Sequence, residues 1–190
     1  MTVYADIAVA VLAAGQSKRF GSDKLMADLD GRPIGLHIVQ TLVEMEFGWR
    51  FVVCPPHTPL EPHFSASGFA IVASESPEKG QAHSLHLAVG AAKAADAKAL
   101  LIVLADMPFV SSGHIADMIA AYDGDIVASC DGSAPMPPAI FPHDTWPTLL
   151  ATAGDAGARG LLKGAKLVAA SPAELRDIDE PADLRETPSR

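Results

Sequence analysis

The sequence is poor in cysteine, with two in 190 residues. Cys54 and Cys130 form no C-x-x-C, which excludes a zinc ribbon or a redox pair and fits a reducing cytoplasm. No apolar run reaches the ~18 residues of a membrane span. The apolar opening lacks a basic leader segment and follows Asp6, so it is expected to be a strand rather than a signal peptide. Basic residues are scarce too, 14 against 23 acidic, and the net charge of −9 excludes a general affinity for nucleic acid or anionic membranes. The phosphate motifs G-x-x-x-x-G-K-[ST] and G-x-G-x-x-G cannot be placed, nor can a G-x-S-x-G or a convincing triad. There is no internal repeat, low-complexity tract or linker. What remains is 49% apolar and 19% charged, a globular balance. We expect one domain over 1–186 and a disposable, disordered tail at 187–190.

Short apolar runs alternate with helical patterns. Strands are expected at Ile7 to Leu12, Phe51 to Cys54, Phe69 to Ala73, Leu100 to Leu104, Asp125 to Ser129, Pro138 to Phe141 and Lys166 to Ala170. Helices are expected from Pro33, where Ile34, Ile38, Leu42 and Met45 recur, over Ala82 to Ala95, after a cap at Ser111 or Ser112, and over Thr145 to Ala153. Such alternation implies a mostly parallel sheet covered on both faces. Ligands then sit beyond the carboxyl ends of the strands, which places the loops after Leu12 and Leu104 on one rim.

The loop after Leu12 is Ala13-Ala14-Gly15-Gln16-Ser17-Lys18-Arg19-Phe20-Gly21-Ser22-Asp23-Lys24. Small residues let a backbone approach a ligand closely, and successive N–H groups form an anion-binding concavity. Arg19 adds a planar fork and Lys24 a point charge, two ways of holding phosphate. The alternative is a strand-to-helix turn with solvated charges. Asp106, directly after a buried strand, can hold Mg²⁺ together with substrate phosphates, or simply begin a turn. Asp177 and Asp179 alternate as on a strand and could supply a second carboxylate, Asp179 ahead of Asp177. Alternatively, Asp179 or Glu180 starts a helix with Asp183 in its first turn. Gly80-Gln81-Ala82-His83-Ser84 offers N–H groups at a helix start. His83 and His86 are read as solvated rather than as a metal pair. Gly154-Asp155-Ala156-Gly157-Ala158-Arg159 can be a junction between helices.

These elements together resemble the nucleotidyltransferases akin to molybdenum cofactor cytidylyltransferase, the MobA-like NTP transferases. The resemblance rests on Leu12-Ala13-Ala14-Gly15-x-Ser17-x-Arg19-Phe20-Gly21-x-x-Lys24, Asp106-Met107-Pro108, Asp177-x-Asp179, Gly80-x-x-x-Ser84-Leu85, Pro138 and Gly154-Asp155-x-Gly157-Ala158-Arg159, in the family's order. It implies a three-layer Rossmann-like nucleotidyltransferase fold with a mostly parallel mixed sheet. It also implies transfer of CMP from CTP to molybdopterin or its molybdenum form, with release of pyrophosphate, Mg²⁺ as cofactor and a molybdenum hydroxylase as client. Arg19, Lys24 and Asp106 would be catalytic, and Asp106 and Asp179 the metal ligands. Leu12 to Gly15, Ser17, Arg19, Lys24, Gly80, Gln81 and Ser84 would bind nucleotide, and Pro138, Gly154, Asp155 and Arg159 the acceptor. Ala14, where guanylyltransferases carry a second glycine, leans towards CTP. Met136-Pro137-Pro138 departs from the Gly-His-Pro common in the cytidylyltransferases. The alternatives are a guanylyltransferase, a transferase for another phosphorylated metabolite, or a cofactor-delivery chaperone without chemistry.

Overall fold

The computed structural model describes residues 3–15, 20, 23–154 and 158–186. Along the chain come β1 (Ile7–Leu12), a hairpin of β2 (Asp28–Leu29) and β3 (Arg32–Pro33), α1 (His37–Val43), β4 (Trp49–Cys54), α2 (Glu61–Ala66) and β5 (Ala70–Ala73). Then follow α3 (Gln81–Ala94), β6 (Ala99–Leu104), α4 (Ser112–Ala121), β7 (Val127–Cys130), β8 (Pro135–Pro142), α5 (Trp146–Leu150), α6 (Arg159–Leu162) and β9 (Lys166–Ala169). The main sheet has seven strands in the order β5-β4-β1-β6-β8-β7-β9. All run parallel except β8, which is antiparallel to both β6 and β7.

Central strands of a sheet covered on both faces need apolar residues at every position, and β1 (IAVAVL) and β6 (ALLIVL) provide them. Alternation sorts these side chains into two cores. Ile7, Val9, Val11, Leu101 and Val103 pack with Ile38 and Leu42 of α1, Phe64 of α2 and Ile115 and Met118 of α4. Ala8, Ala10, Leu100 and Ile102 pack with Leu85 and Val89 of α3, Leu149 of α5 and Leu162 of α6. The result is three layers, a mixed α/β fold of the kind expected.

Four local readings are revised. Pro33 does not begin a helix. Asp30 (φ 53°) and Gly31 (φ 80°) form a hairpin turn of the kind in which both central residues are left-handed, pairing β2 with β3. α1 follows after a single 3₁₀ turn at Ile34–Leu36. The helix expected over Thr145 to Ala153 shortens to α5, and β8 extends to eight residues. Asp177 and Asp179 lie on no strand. Their segment is irregular, because the Ile178 N–H donates to the Asp106 carbonyl (2.9 Å) and the side chain is fully buried. The Asp183 carboxylate accepts the N–H groups of Asp179 and Glu180 at 2.8 Å each, the capping arrangement read from Glu180-Pro181-x-Asp183. Of the two capping candidates, Ser111 accepts the His114 N–H and caps α4.

The approach to β4 is pinned at Gly48, whose N–H donates to the Tyr4 carbonyl (3.2 Å). An added Cβ there would overlap the Ala5 carbonyl oxygen. Gly48→Ala is expected to cost about 1–3 kcal/mol, read as a lower urea midpoint with unchanged m-value.

Candidate active site

β1 and β6 pair in parallel register out to Leu12 opposite Leu104, so both strands end at the same height. The Ala105 N–H donates to the Leu12 carbonyl (3.1 Å), and the Ala13 N–H to the Val53 carbonyl (2.8 Å). These bonds carry the order of the sheet into its rim. They set Ala13, Ala14 and Gly15 beside the turn that presents Asp106. A Cβ added at Gly15 would meet no described atom within 4 Å. Packing against the described residues therefore does not demand glycine there, whereas a ligand drawn against the backbone would.

The centre of the rim is Lys24. It lies in a 3₁₀ turn (Lys24–Met26) capped by the Asp23 carboxylate, which accepts the Leu25 N–H. Its Nζ donates to Asp106 Oδ2 at 2.7 Å and to Asp179 Oδ1 at 2.8 Å. The lysine side chain is only 10% exposed, against 22% for Asp106 and 47% for Asp179. Burial alone would draw the ammonium's pKa down, but the carboxylates of Asp106 and Asp179 outweigh it and hold Lys24 above its ordinary value. Asp177 is pushed up, by partial desolvation and by the negative charges of Asp179 and Asp106.

This donor set suits a hard divalent cation. Two carboxylates from separate segments converge, and Mg²⁺ takes one or two carboxylates with the rest of its shell from phosphate and water. Among the described residues no group of three or more potential metal-ligating side chains exists, so an ion here would depend on substrate oxygens. His86 Nε2 lies 3.4 Å from Thr152 Oγ1.

Beside this centre opens a pocket of roughly 490 Å³, within the range of small-ligand sites. Its floor is one face of the sheet, where Leu12, Ile102, Leu104, Ala139 and Phe141 point the same way. Gln81 and Leu85 of α3 form one wall; Arg159, Leu162 and Lys163 of α6 and its end form another. Met136, Pro137, Leu175 and Asp177 complete the rim. The pocket lies towards β8, whereas Ala13, where the loop after β1 begins, bonds Val53 of β4.

Gln81 thus reaches the pocket and Ser84 is buried behind it. Gly80 adopts φ 79°, a left-handed conformation that favours glycine and sets the start of α3. Gly154 is also left-handed (φ 66°) and does not line the pocket. Pro138 turns its carbonyl to Ser129 Oγ (2.9 Å), and its neighbours Pro137 and Ala139 face the pocket instead. Ser17, Arg19 and Asp155 lie outside the described residues. Reasoning from sequence missed Lys163, Met136 and Leu175. The i,i+4 spacing of Arg159 and Lys163 was the available signal for the first. The other two become neighbours of the site only through tertiary packing.

Fold and relatives together define a nucleotidyltransferase. Residues 9–172 match the MobA-like NTP transferase domain, and the chain belongs to that family. It is 33% identical over 187 residues to the purine catabolism protein PucB of Bacillus subtilis, spanning 90% of this chain and 91% of that protein. It is 32% identical to a molybdenum cofactor guanylyltransferase of Xanthomonas euvesicatoria over 66% of this chain and 60% of that one. Among solved structures, a nucleotidyl transferase from Methanothermobacter superposes with a TM-score of 0.80 at 23% identity, covering 93% of both chains. Rv0371c of Mycobacterium tuberculosis superposes with a TM-score of 0.77 at 21% identity, covering 94% of this chain and 96% of its own. No described helix is long and apolar enough to cross a membrane.

The β8 wall of the pocket rests on a buried polar chain. Pairing of β7 with β8 jumps from Ala128–Ala139 to Ser129–Met136, leaving Pro137 and Pro138 unpaired. Ser129 Oγ donates to the Pro138 carbonyl and accepts from His114 Nε2 (2.8 Å), which assigns the ring proton to Nε2. Burial depresses the His114 pKa below the ordinary 6.5, against the smaller opposing pull of Glu174 and Asp117. As pH falls the unfolded chain takes up this proton first, so the contribution is present above pH 6.5 and lost as pH drops through the folded value. The urea midpoint of wild type is expected to fall more between pH 7.5 and 5.5 than that of His114→Gln.

Proposed function

We propose that this chain transfers a nucleoside monophosphate, CMP from CTP in preference to GMP from GTP, onto a phosphorylated acceptor of the molybdopterin type, with Mg²⁺ and release of pyrophosphate. The observation that carries the reading is the Lys24 ammonium bridging Asp106 and Asp179 on the rim between a small-residue loop and an apolar pocket. A protein that only binds or delivers a cofactor has no need of a cation and two carboxylates between its two binding regions. The near-full-length likeness to a purine catabolism protein supports a client enzyme in purine breakdown. A structure of Rv0371c carries manganese, in keeping with divalent-metal use. A cytoplasmic location is part of the same proposal, in keeping with two unclustered cysteines.

An oxygen of the acceptor phosphate attacks the α-phosphorus, and the bond to the bridging oxygen breaks as pyrophosphate departs. The acceptor is the nucleophile, so no serine, cysteine or histidine is needed. Catalysis is positioning and charge neutralisation. The N–H groups of Ala14 and Gly15, with Ser17 and Arg19, hold the departing phosphates, and Gly80, Gln81 and Ser84 border the nucleoside. Asp106 and Asp179 would hold Mg²⁺, which would supply charge neutralisation for the phosphates. Lys24, already seated against both carboxylates, lies within reach of the α-phosphate's developing charge. Pro138, Gly154, Asp155 and Arg159 belong to the acceptor side, with Pro138 acting through the wall it shapes.

The preference for CTP rests on Ala14, a buried residue whose methyl narrows the space beside the base. One methyl is worth about 1–3 kcal/mol of discrimination. The guanylyltransferases among the relatives favour GTP as the second reading. Pyrophosphate release from purified protein with Mg²⁺ and molybdopterin decides between them: release with CTP supports the first, and release with GTP alone replaces it. Lys24→Ala and Asp106→Asn are each expected to lower kcat by about 10²–10³ with an unchanged circular dichroism spectrum. Near-wild-type turnover in either would remove that residue from the mechanism.

A further inference from the structure

Resting on the transferase reading above, we infer that Arg159 and Lys163 hold a second anionic group of the acceptor. The acceptor is then a phosphate ester with a flat, largely apolar body and an acidic function away from its reacting phosphate. The pocket beside Asp106 is apolar over its floor, and among the described residues its charged lining positions are Asp177, Arg159 and Lys163. Asp177 belongs to the segment tied to Asp106 through Ile178. The two cations come from α6 and its end, which pack over β8. They are four residues apart, one helical turn, and therefore share a face. Both line the cavity.

Neither cation forms an ion pair among the described residues. Both are solvent-exposed, and among the cavity's described lining residues they set two positive charges against one carboxylate, Asp177. The reacting phosphate does not explain them, because Lys24 and the carboxylates that would hold the metal already answer its charge. Nor does the triphosphate, which the reading above assigns to the loop beginning at Ala13, bonded to Val53 of β4; the nucleoside shares with this pocket only its edge at Leu12 and Gln81. A separate anion on the acceptor matches them. Arg159 offers a planar fork for a carboxylate or other oxyanion, and Lys163 a mobile point charge. The sulfurs of Met107 and Met136 and the ring of Pro137 provide a polarizable lining for a flat body between the two charged ends.

Two simple esters separate these features. Phenyl phosphate has the ring and one anion, and 4-carboxyphenyl phosphate adds the second. Titrated calorimetrically into the protein with Mg²⁺, the carboxylated ester is expected to bind wild type about tenfold more tightly, the scale of one charge-assisted interaction. The R159Q/K163Q double variant is expected to bind the two esters equally. Equal affinities in wild type, failure of both esters to bind, or a preference that survives R159Q/K163Q would each overturn the inference. Titration of wild type with CTP and GTP tests the transferase reading by itself: lack of nucleotide binding fails that reading, whereas nucleotide binding without ester discrimination fails only this one.

Discussion

A single buried ammonium closes this site. Lys24 lies 82 residues from Asp106 and 155 from Asp179 in sequence, yet bonds both. Removing a cation from between two carboxylates leaves like charges facing each other in a partly desolvated place, which folding resists more than the loss of a surface pair. The turn at Lys24–Met26, the end of β6 and the segment at 177–180 are therefore fixed as one unit. Ile178 adds an apolar anchor and a backbone bond to the same union. The candidate site is arranged around that union.

The sheet supplies the frame that makes such closure possible. Parallel register brings Leu12 level with Leu104, and side-chain alternation sends neighbouring residues of β1 and β6 to opposite cores. Ala13 and Ala105 take their positions from this frame through bonds to Val53 and Leu12, and Lys24 and Ile178 then tie the Asp106 turn in place. The reversed strand β8 then extends the sheet beyond Asp106 and gives the pocket its second half.

The central strands were legible because a strand buried on both faces is written as a continuous apolar run, as in Leu100 to Leu104. Asp106 was legible because a charged residue just after such a run falls on the rim, and Lys24 because it closes the small-residue loop that follows β1. The direction of β8 was not, since Pro138 to Phe141 reads the same either way, and only pairing with β6 decides it. The hairpin at Asp30-Gly31 carried a clear local signal, overshadowed by the helical spacing that begins at Ile34. Asp177 and Asp179 alternate as a strand would, but the burial of Ile178 against the Asp106 turn overrides that pattern. Leu175 and Met136 have no local signature, because a pocket wall assembled from distant segments has none.

The proline pair in β8 has a bearing on how such a protein diversifies. Pro137 and Pro138 donate nothing to the ladder, so this wall is held by a carbonyl, a serine and a histidine rather than by a run of strand bonds. The β1–β6 centre, by contrast, is stitched along its whole length. Substitutions can accumulate in the proline-bearing wall without unravelling the centre, because few bonds are shared between them. On the reading proposed above, the molecule separates an inheritable engine from an exchangeable socket: new partners can be tried on one side while the apparatus for handling nucleotides stays as it was.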